Sequence, residues 1–103
     1  MWVTKIIMAA GDWKELYLSA QKGDLGLVKY HISMGVDPNY QHPEFMTTPL
    51  IACIEKQQYD IAKYLLENGA DPTLKEGWGS HSPLSMAQST KNQALIDLVE
   101  SYL

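Results

Sequence analysis

Apolar side chains recur along this chain at helical spacing, in pairs of short stretches separated by polar, turn-forming ones. From Asp12 the order runs Leu16 and Ala20, then Gly23, then Leu25, Val28 and Ile32, then Gly35. An apolar residue every three or four positions makes one face of an α-helix. The first stretch predicts a helix opened by an Asp12-x-x-Glu15 capping box and running to about Lys22, where Gly23 breaks it. Asp24 caps a second helix, and Gly35 supplies the left-handed residue that ends it.

Residues 48–73 repeat this grammar. Thr48 is an N-cap and Pro49 the first helical residue, where its missing N–H is not needed. Leu50, Cys53 and Ile54 face inward. The next helix, about 59–68, buries Ile61, Ala62, Leu65 and Leu66, and Gly69 stops it. A third pair opens at Ser82 and Pro83 with Leu84, Met86 and Ala87. It closes with a helix at about 93–102 that carries Leu95, Ile96, Leu98 and Val99.

Equivalent positions lie 34 residues apart: Leu16, Leu50 and Leu84; Val28, Ala62 and Ile96; Gly35 and Gly69; Pro38 and Pro72; Pro49 and Pro83. Agreement of so many registers on one interval marks a repeat protein, in which each helix pair buries its apolar face against the next. The middle pair has neighbours on both sides and is the expected centre of stability. Between pairs, residues 36–47 and 70–81 carry Asp37-Pro38 and Asp71-Pro72, which turn the chain away from helix. Their turn-rich middles predict extended fingers that fold back on themselves.

Composition narrows the function. The chain has 103 residues and a formal charge of -4, with 46% hydrophobic and 19% charged residues. That suits one soluble domain and argues against a nucleic-acid binder, which needs clustered Lys and Arg. The single cysteine, Cys53, cannot form an intramolecular disulfide; it reads as a buried structural thiol in a reducing, cytoplasmic setting. Residues 1–11 are too short to span a bilayer, and Lys5 interrupts their apolar run. They read as a disordered or loosely docked leader, with a cleaved signal as the alternative. No membrane association is expected.

Thr48-Pro49-Leu50 with Ala52, then Leu65-Leu66-Glu67-Asn68-Gly69-Ala70-Asp71, resembles the ankyrin repeat. Ser82-Pro83-Leu84 with Ala87 is a second match. Ala20-Gln21-Lys22-Gly23-Asp24 and Gly35-Val36-Asp37-Pro38-Asn39 are similar to an N-terminal repeat without its Thr-Pro opening. The resemblance implies an all-α solenoid of three stacked helix-turn-helix units with β-hairpin-like fingers. The domain would be 12–103, with repeats at about 12–40, 41–74 and 75–103.

Three departures stand out. The period exceeds the family's standard of about 33 residues, which leaves finger shape open. The His usual after Thr-Pro-Leu is Ile51 in one unit and Ser85 in the next, which predicts looser fingers. Gln57 replaces the expected mid-unit glycine, which predicts a less tight or strained turn. The period also suits a tetratricopeptide repeat, but that repeat has two long helices with short turns. The stretch from Gly35 to Pro49 instead leaves room for a finger.

Chemistry is sparse. The sequence has no phosphate loop, and His31, His42 and His81 have no metal-ligand spacing to one another or to Cys53. His31 reads as a satisfied structural histidine. No catalytic residue, cofactor or metal is expected. The resemblance implies a concave face of fingers and short helices that binds protein. It places finger contacts at Tyr40, His42, Glu44, Phe45, Thr47, Glu76, Trp78 and His81. On the short-helix ends it places Gln21, Lys22, Glu55, Lys56, Ser89 and Thr90.

Trp78, between Gly77 and Gly79, is either an exposed anchor or packed on the neighbouring finger. Phe45 and Met46 face the same choice. Trp13 and Tyr17 are expected to cover the open N-terminal end. The expectation is therefore a monomeric, non-catalytic adaptor, scaffold or inhibitor with an unnamed protein partner. The alternatives are a self-associating structural protein, using Leu95, Val99 and Leu103 of the last helix, and an enzyme whose acidic surface handles a small molecule.

Overall fold

The computed structural model describes residues 12–77 and 81–103. The segment expected to be a leader and Trp78 lie outside them. Among the described residues six helices follow in order: α1 Trp13–Lys22, α2 Leu25–Ser33, α3 Pro49–Glu55, α4 Tyr59–Glu67, α5 Pro83–Thr90 and α6 Gln93–Glu100. Consecutive helices form three antiparallel pairs. The first helices of the pairs stack in one layer and the second helices in another, with the first layer packed more closely.

Caps explain most helix starts. Asp24 accepts from the Leu27 N–H, Thr48 from Ile51, and Asn92 from Leu95. Ser82 and Ser85 cap α5 reciprocally, each hydroxyl accepting the other's backbone N–H, at 3.1 and 2.9 Å. The capping box expected at Asp12 does not form. Asp12 has φ -87° and ψ 0° and makes no side-chain cap bond. In that helical backbone its carboxylate swings toward His31 on α2 instead.

A column of small buried residues lets the first layer close up: Ser19, Cys53 and Ala87 occupy one register. Ser19 Oγ donates to the Leu16 carbonyl at 3.0 Å, and Cys53 Sγ repeats that bond to Leu50 at 3.1 Å. Cys53 thus stands where a small polar side chain fits, satisfied within its own helix. Around the column, Leu16, Leu50, Ile54, Val28, Leu65, Leu95 and Val99 form one continuous core. In the middle unit every residue from Pro49 to Ile54 is buried, as a unit with neighbours on both sides requires.

The turns inside the pairs form a second column. Gly23, Gln57 and Lys91 all have positive φ, at 91°, 58° and 59°. The expectation of a strained turn at Gln57 is met, and Lys91 shares it. The sequence adds a partial remedy: Gln57 Oε1 accepts from Asn92 Nδ2 at 3.1 Å, tying the second turn to the third. One position on, Gln58 Nε2 donates to the Gln21 carbonyl at 3.4 Å, tying the second turn to the first. Gln58 therefore offers α4 no side-chain cap.

The fingers hold no strand among the described residues. The second folds back through one cross-link, the Glu76 N–H to the His81 carbonyl at 2.9 Å. The first instead ends in a tight turn, with the Phe45 and Met46 N–H groups both on the His42 carbonyl and Met46 at φ 55°. Nor does loss of the family histidine leave the fingers untied. Gln41 Nε2 donates to the Lys75 carbonyl at 2.6 Å, and the Gly77 N–H donates to the Met46 carbonyl at 2.7 Å. Gly77 also lies directly under the Met46 thioether, where a side chain of its own would clash.

Candidate functional site

The first finger is held to α1 by aromatic rings. His42 stacks on Trp13 at 4.3 Å and 11°, while Phe45 meets Trp13 and Tyr17 edge-on, both at 5.1 Å. Tyr40 tilts against Trp13 at 5.7 Å and stays 43% exposed. Such tilted and edge-on pairs add stability beyond burial. Trp13 and Tyr17, expected to cover the open N-terminal end, pack against the rings of the first finger.

This packing fixes one wall of a hollow of about 720 Å³. Phe45 and Thr47 stand at the first finger, Glu76 and His81 at the second. Glu55 and Gln57 mark the end of α3, and Ser89 and Thr90 the end of α5. Ile51, Ala52 and Met86 form its buried apolar floor. The Tyr17 phenol feels the charge of the hollow's two glutamates. Burial first, then the negative charges of Glu55 and Glu76, raise its pKa above the ordinary phenol value. His81 Nδ1 pairs with Ser85 Oγ at 3.2 Å, which steadies the second finger against α5.

Two other groups bear on chemistry. Burial pushes the Cys53 thiol far up, so it is not a nucleophile at neutral pH. His31 is 97% buried in effect, at 3% exposure, yet both its ring nitrogens lack a hydrogen-bond partner. Asp12 Oδ2 lies 3.8 Å from Nδ1 and Glu15 Oε2 3.6 Å from Nε2, too long for hydrogen bonds. His31 is thus not the satisfied structural histidine its helix position suggested. Asp12, Glu15 and His31 each offer one donor atom within 4.8 Å of the others, so this is where the described residues could gather a metal ion. Sequence spacing hides the grouping because its members sit on different helices.

The family described as ankyrin repeats (3 copies) matches residues 9–101. The chain is an ankyrin-repeat protein. Two potassium channels of Arabidopsis thaliana are similar to it: GORK, 36% identical over 88 residues, and SKOR, 37% identical over 82 residues. These matches cover 82% and 77% of this chain but only 10% and 9% of the channels. The 2-5A-dependent ribonuclease of Homo sapiens is 33% identical over 72 residues, 70% of this chain and 10% of that protein. The ankyrin chain therefore spans about a tenth of the length of these relatives. Ankyrin repeats generally mediate protein–protein interaction, and the family is typically non-catalytic. Among the described residues no helix is long and apolar enough to cross a membrane.

On this ankyrin scaffold the residues expected to touch a partner divide. Phe45, Thr47, Glu55, Glu76, His81, Ser89 and Thr90 come together around the hollow. Tyr40 and His42 join the aromatic cluster beside it. Glu44 and Lys56 are exposed but line no part of it. Lys22 borders a separate depression with Asp24 and Leu27, and Gln21 is engaged through its carbonyl by Gln58. Sequence reasoning missed the floor. Ala52 and Met86 share a register, a signal that both face one side of the first layer. The self-association surface shrinks as well: Leu95 and Val99 are fully buried within the fold, which leaves Leu103, 61% exposed, and Tyr102.

Proposed function

We propose that this chain is a non-catalytic protein-binding module that receives a segment of its partner in the hollow between the two fingers. The single observation that carries the reading is that both fingers and the ends of α3 and α5 converge on one concavity with an apolar floor and a polar rim. Protein-binding sites share that anatomy. Adaptor, scaffold and inhibitor are roles such a module fills alike, since each needs only a complementary surface.

The test uses a photo-crosslinking amino acid placed in turn at Thr47, at Ser89, and at Lys63 on the exposed side of α4. Crosslinks to one protein from Thr47 and Ser89, and not from Lys63, support the reading. Crosslinks from Lys63 alone, or equally from all three, would sink it.

A further inference from the structure

The hollow is chemically one-sided. Among the described residues no Lys or Arg lines it, whereas Glu55 and Glu76 do. Besides Thr47, two hydroxyls line it and both have already spent their protons: Ser89 Oγ donates to the Met86 carbonyl at 2.7 Å and Thr90 Oγ1 to the Ala87 carbonyl at 2.6 Å. Each therefore shows the hollow only lone pairs. The Gln57 side-chain oxygen already accepts from Asn92, so its amide NH2 joins the Thr47 hydroxyl and the His81 ring as the donors available at the described rim. Glu55 is the last residue of α3, and Ser89 and Thr90 close α5. Two helix C-termini, each carrying partial negative charge, thus end at the rim. Carboxylates, lone pairs and helix ends all ask for a cation that donates several hydrogen bonds.

The shape separates the two cationic side chains. The carboxylates stand on different elements, Glu55 on α3 and Glu76 on the second finger. A planar guanidinium with five N–H donors is built to bond more than one carboxylate at once, whereas an ammonium is a compact point charge that prefers to stay hydrated. The floor of Ile51, Ala52 and Met86 suits a methylene stem, and Phe45 adds an aromatic ring to the lining, which favours a flat cationic head.

Resting on the protein-binding reading above, we infer that the hollow is an arginine pocket: the partner presents a basic, extended segment and seats one arginine between Glu55 and Glu76. The remaining basic residues of that segment meet a chain whose formal charge is -4.

The probe is a fluorescein-labelled nonapeptide of alternating Arg and Ala, compared with its Lys and Glu counterparts by fluorescence anisotropy at two salt concentrations. The Arg peptide should bind, shift the backbone amide signals of Glu55, Glu76, Ser89 and Thr90, and weaken as salt rises. Glu55→Gln with Glu76→Gln should weaken it by roughly tenfold or more, since two charge-assisted bonds are lost. The Lys peptide should bind several-fold less tightly and the Glu peptide not at all. Circular dichroism melts of the variant exclude misfolding.

Equal binding of the Arg and Lys peptides, or undiminished binding by the double variant, overturns the pocket. Absence of Arg-peptide binding while Thr47 and Ser89 still crosslink one protein overturns the pocket and leaves the protein-binding reading standing. Failure of both experiments removes both.

Discussion

Asn39 of the first finger grips the Asp71 turn of the second. Its Oδ1 accepts from the Asp71 N–H at 2.7 Å while its Nδ2 donates to the Gly69 carbonyl at 2.9 Å. One amide thereby satisfies a donor and an acceptor exposed by the end of α4, and does so across a repeat boundary. Asn39→Ala should cost about 1–2 kcal/mol, the net worth of two such bonds. Asn39→Asp should cost more, because a carboxylate would face the Gly69 carbonyl. Urea unfolding of the two variants checks the order.

Replacing Lys91 with glycine should stabilise the chain. A left-handed residue bearing a Cβ costs about 1–2 kcal/mol, while glycine gives back about 0.5–1 kcal/mol in chain entropy. The expected net gain for Lys91→Gly is about 0.5–1 kcal/mol. Gln57→Gly relieves the same strain but loses the bond from Asn92, so its gain should be smaller or nil. Equal gains in thermal melts would show that the Gln57–Asn92 bond contributes nothing.

Leu65 is fully buried in the unit flanked on both sides. Leu65→Ala should lose about 2–5 kcal/mol through the cavity it leaves. Against a net stability on the order of 5–10 kcal/mol this would unfold much of the chain at modest denaturant. A melt unchanged by the substitution would be incompatible with stacked repeats sharing one core.

His31→Leu should leave stability within about 1 kcal/mol of the parent or raise it. The imidazole's two buried nitrogens gain no hydrogen bond to offset their desolvation, and leucine fills similar volume. His31→Ala should cost about 2–4 kcal/mol by cavity formation. A leucine variant as weak as the alanine one would mean that the Asp12 and Glu15 carboxylates stabilise His31 through charge.

The Thr73 hydroxyl, and then its N–H, donate to Asp71 and hold its carboxyl below the usual carboxylate range. A depressed folded value means that the contribution is present above the unfolded value and is lost as pH falls through the folded one. Thr73→Val removes the hydroxyl bond, and the Asp71 carboxyl should then titrate closer to an ordinary aspartate. Carboxyl carbon shifts followed by NMR through the acid range read this directly. An unmoved midpoint would show the hydroxyl bond to be idle.

How much of this was legible beforehand follows a physical divide. Helix starts at Asp24, Thr48 and Ser82 and stops at Gly35 and Gly69 depend on neighbours a few residues away, so the sequence shows them. Asp12 looked like a cap by the same local rule. It fails because His31, remote in sequence, and a helical φ and ψ compete for it. The finger side of the site was visible as aromatic and polar residues in turn-rich stretches. The floor was not, because Ala52 and Met86 become neighbours only when α3 and α5 stack. The stack of His42 on Trp13 was hidden for a related reason: the two rings are remote in sequence and meet only when the finger folds back to α1.

The lone thiol of Cys53, sealed in the middle of the small-residue column, has one more use. It is silent toward disulfide reagents while α3 stays packed and reacts once that helix is released. The rate at which a native sample consumes such a reagent is therefore a clock for opening of the central unit alone, set against the hydrogen exchange of α1 and α5 on either side. The molecule carries its own reporter of whether its three units come apart together or one at a time.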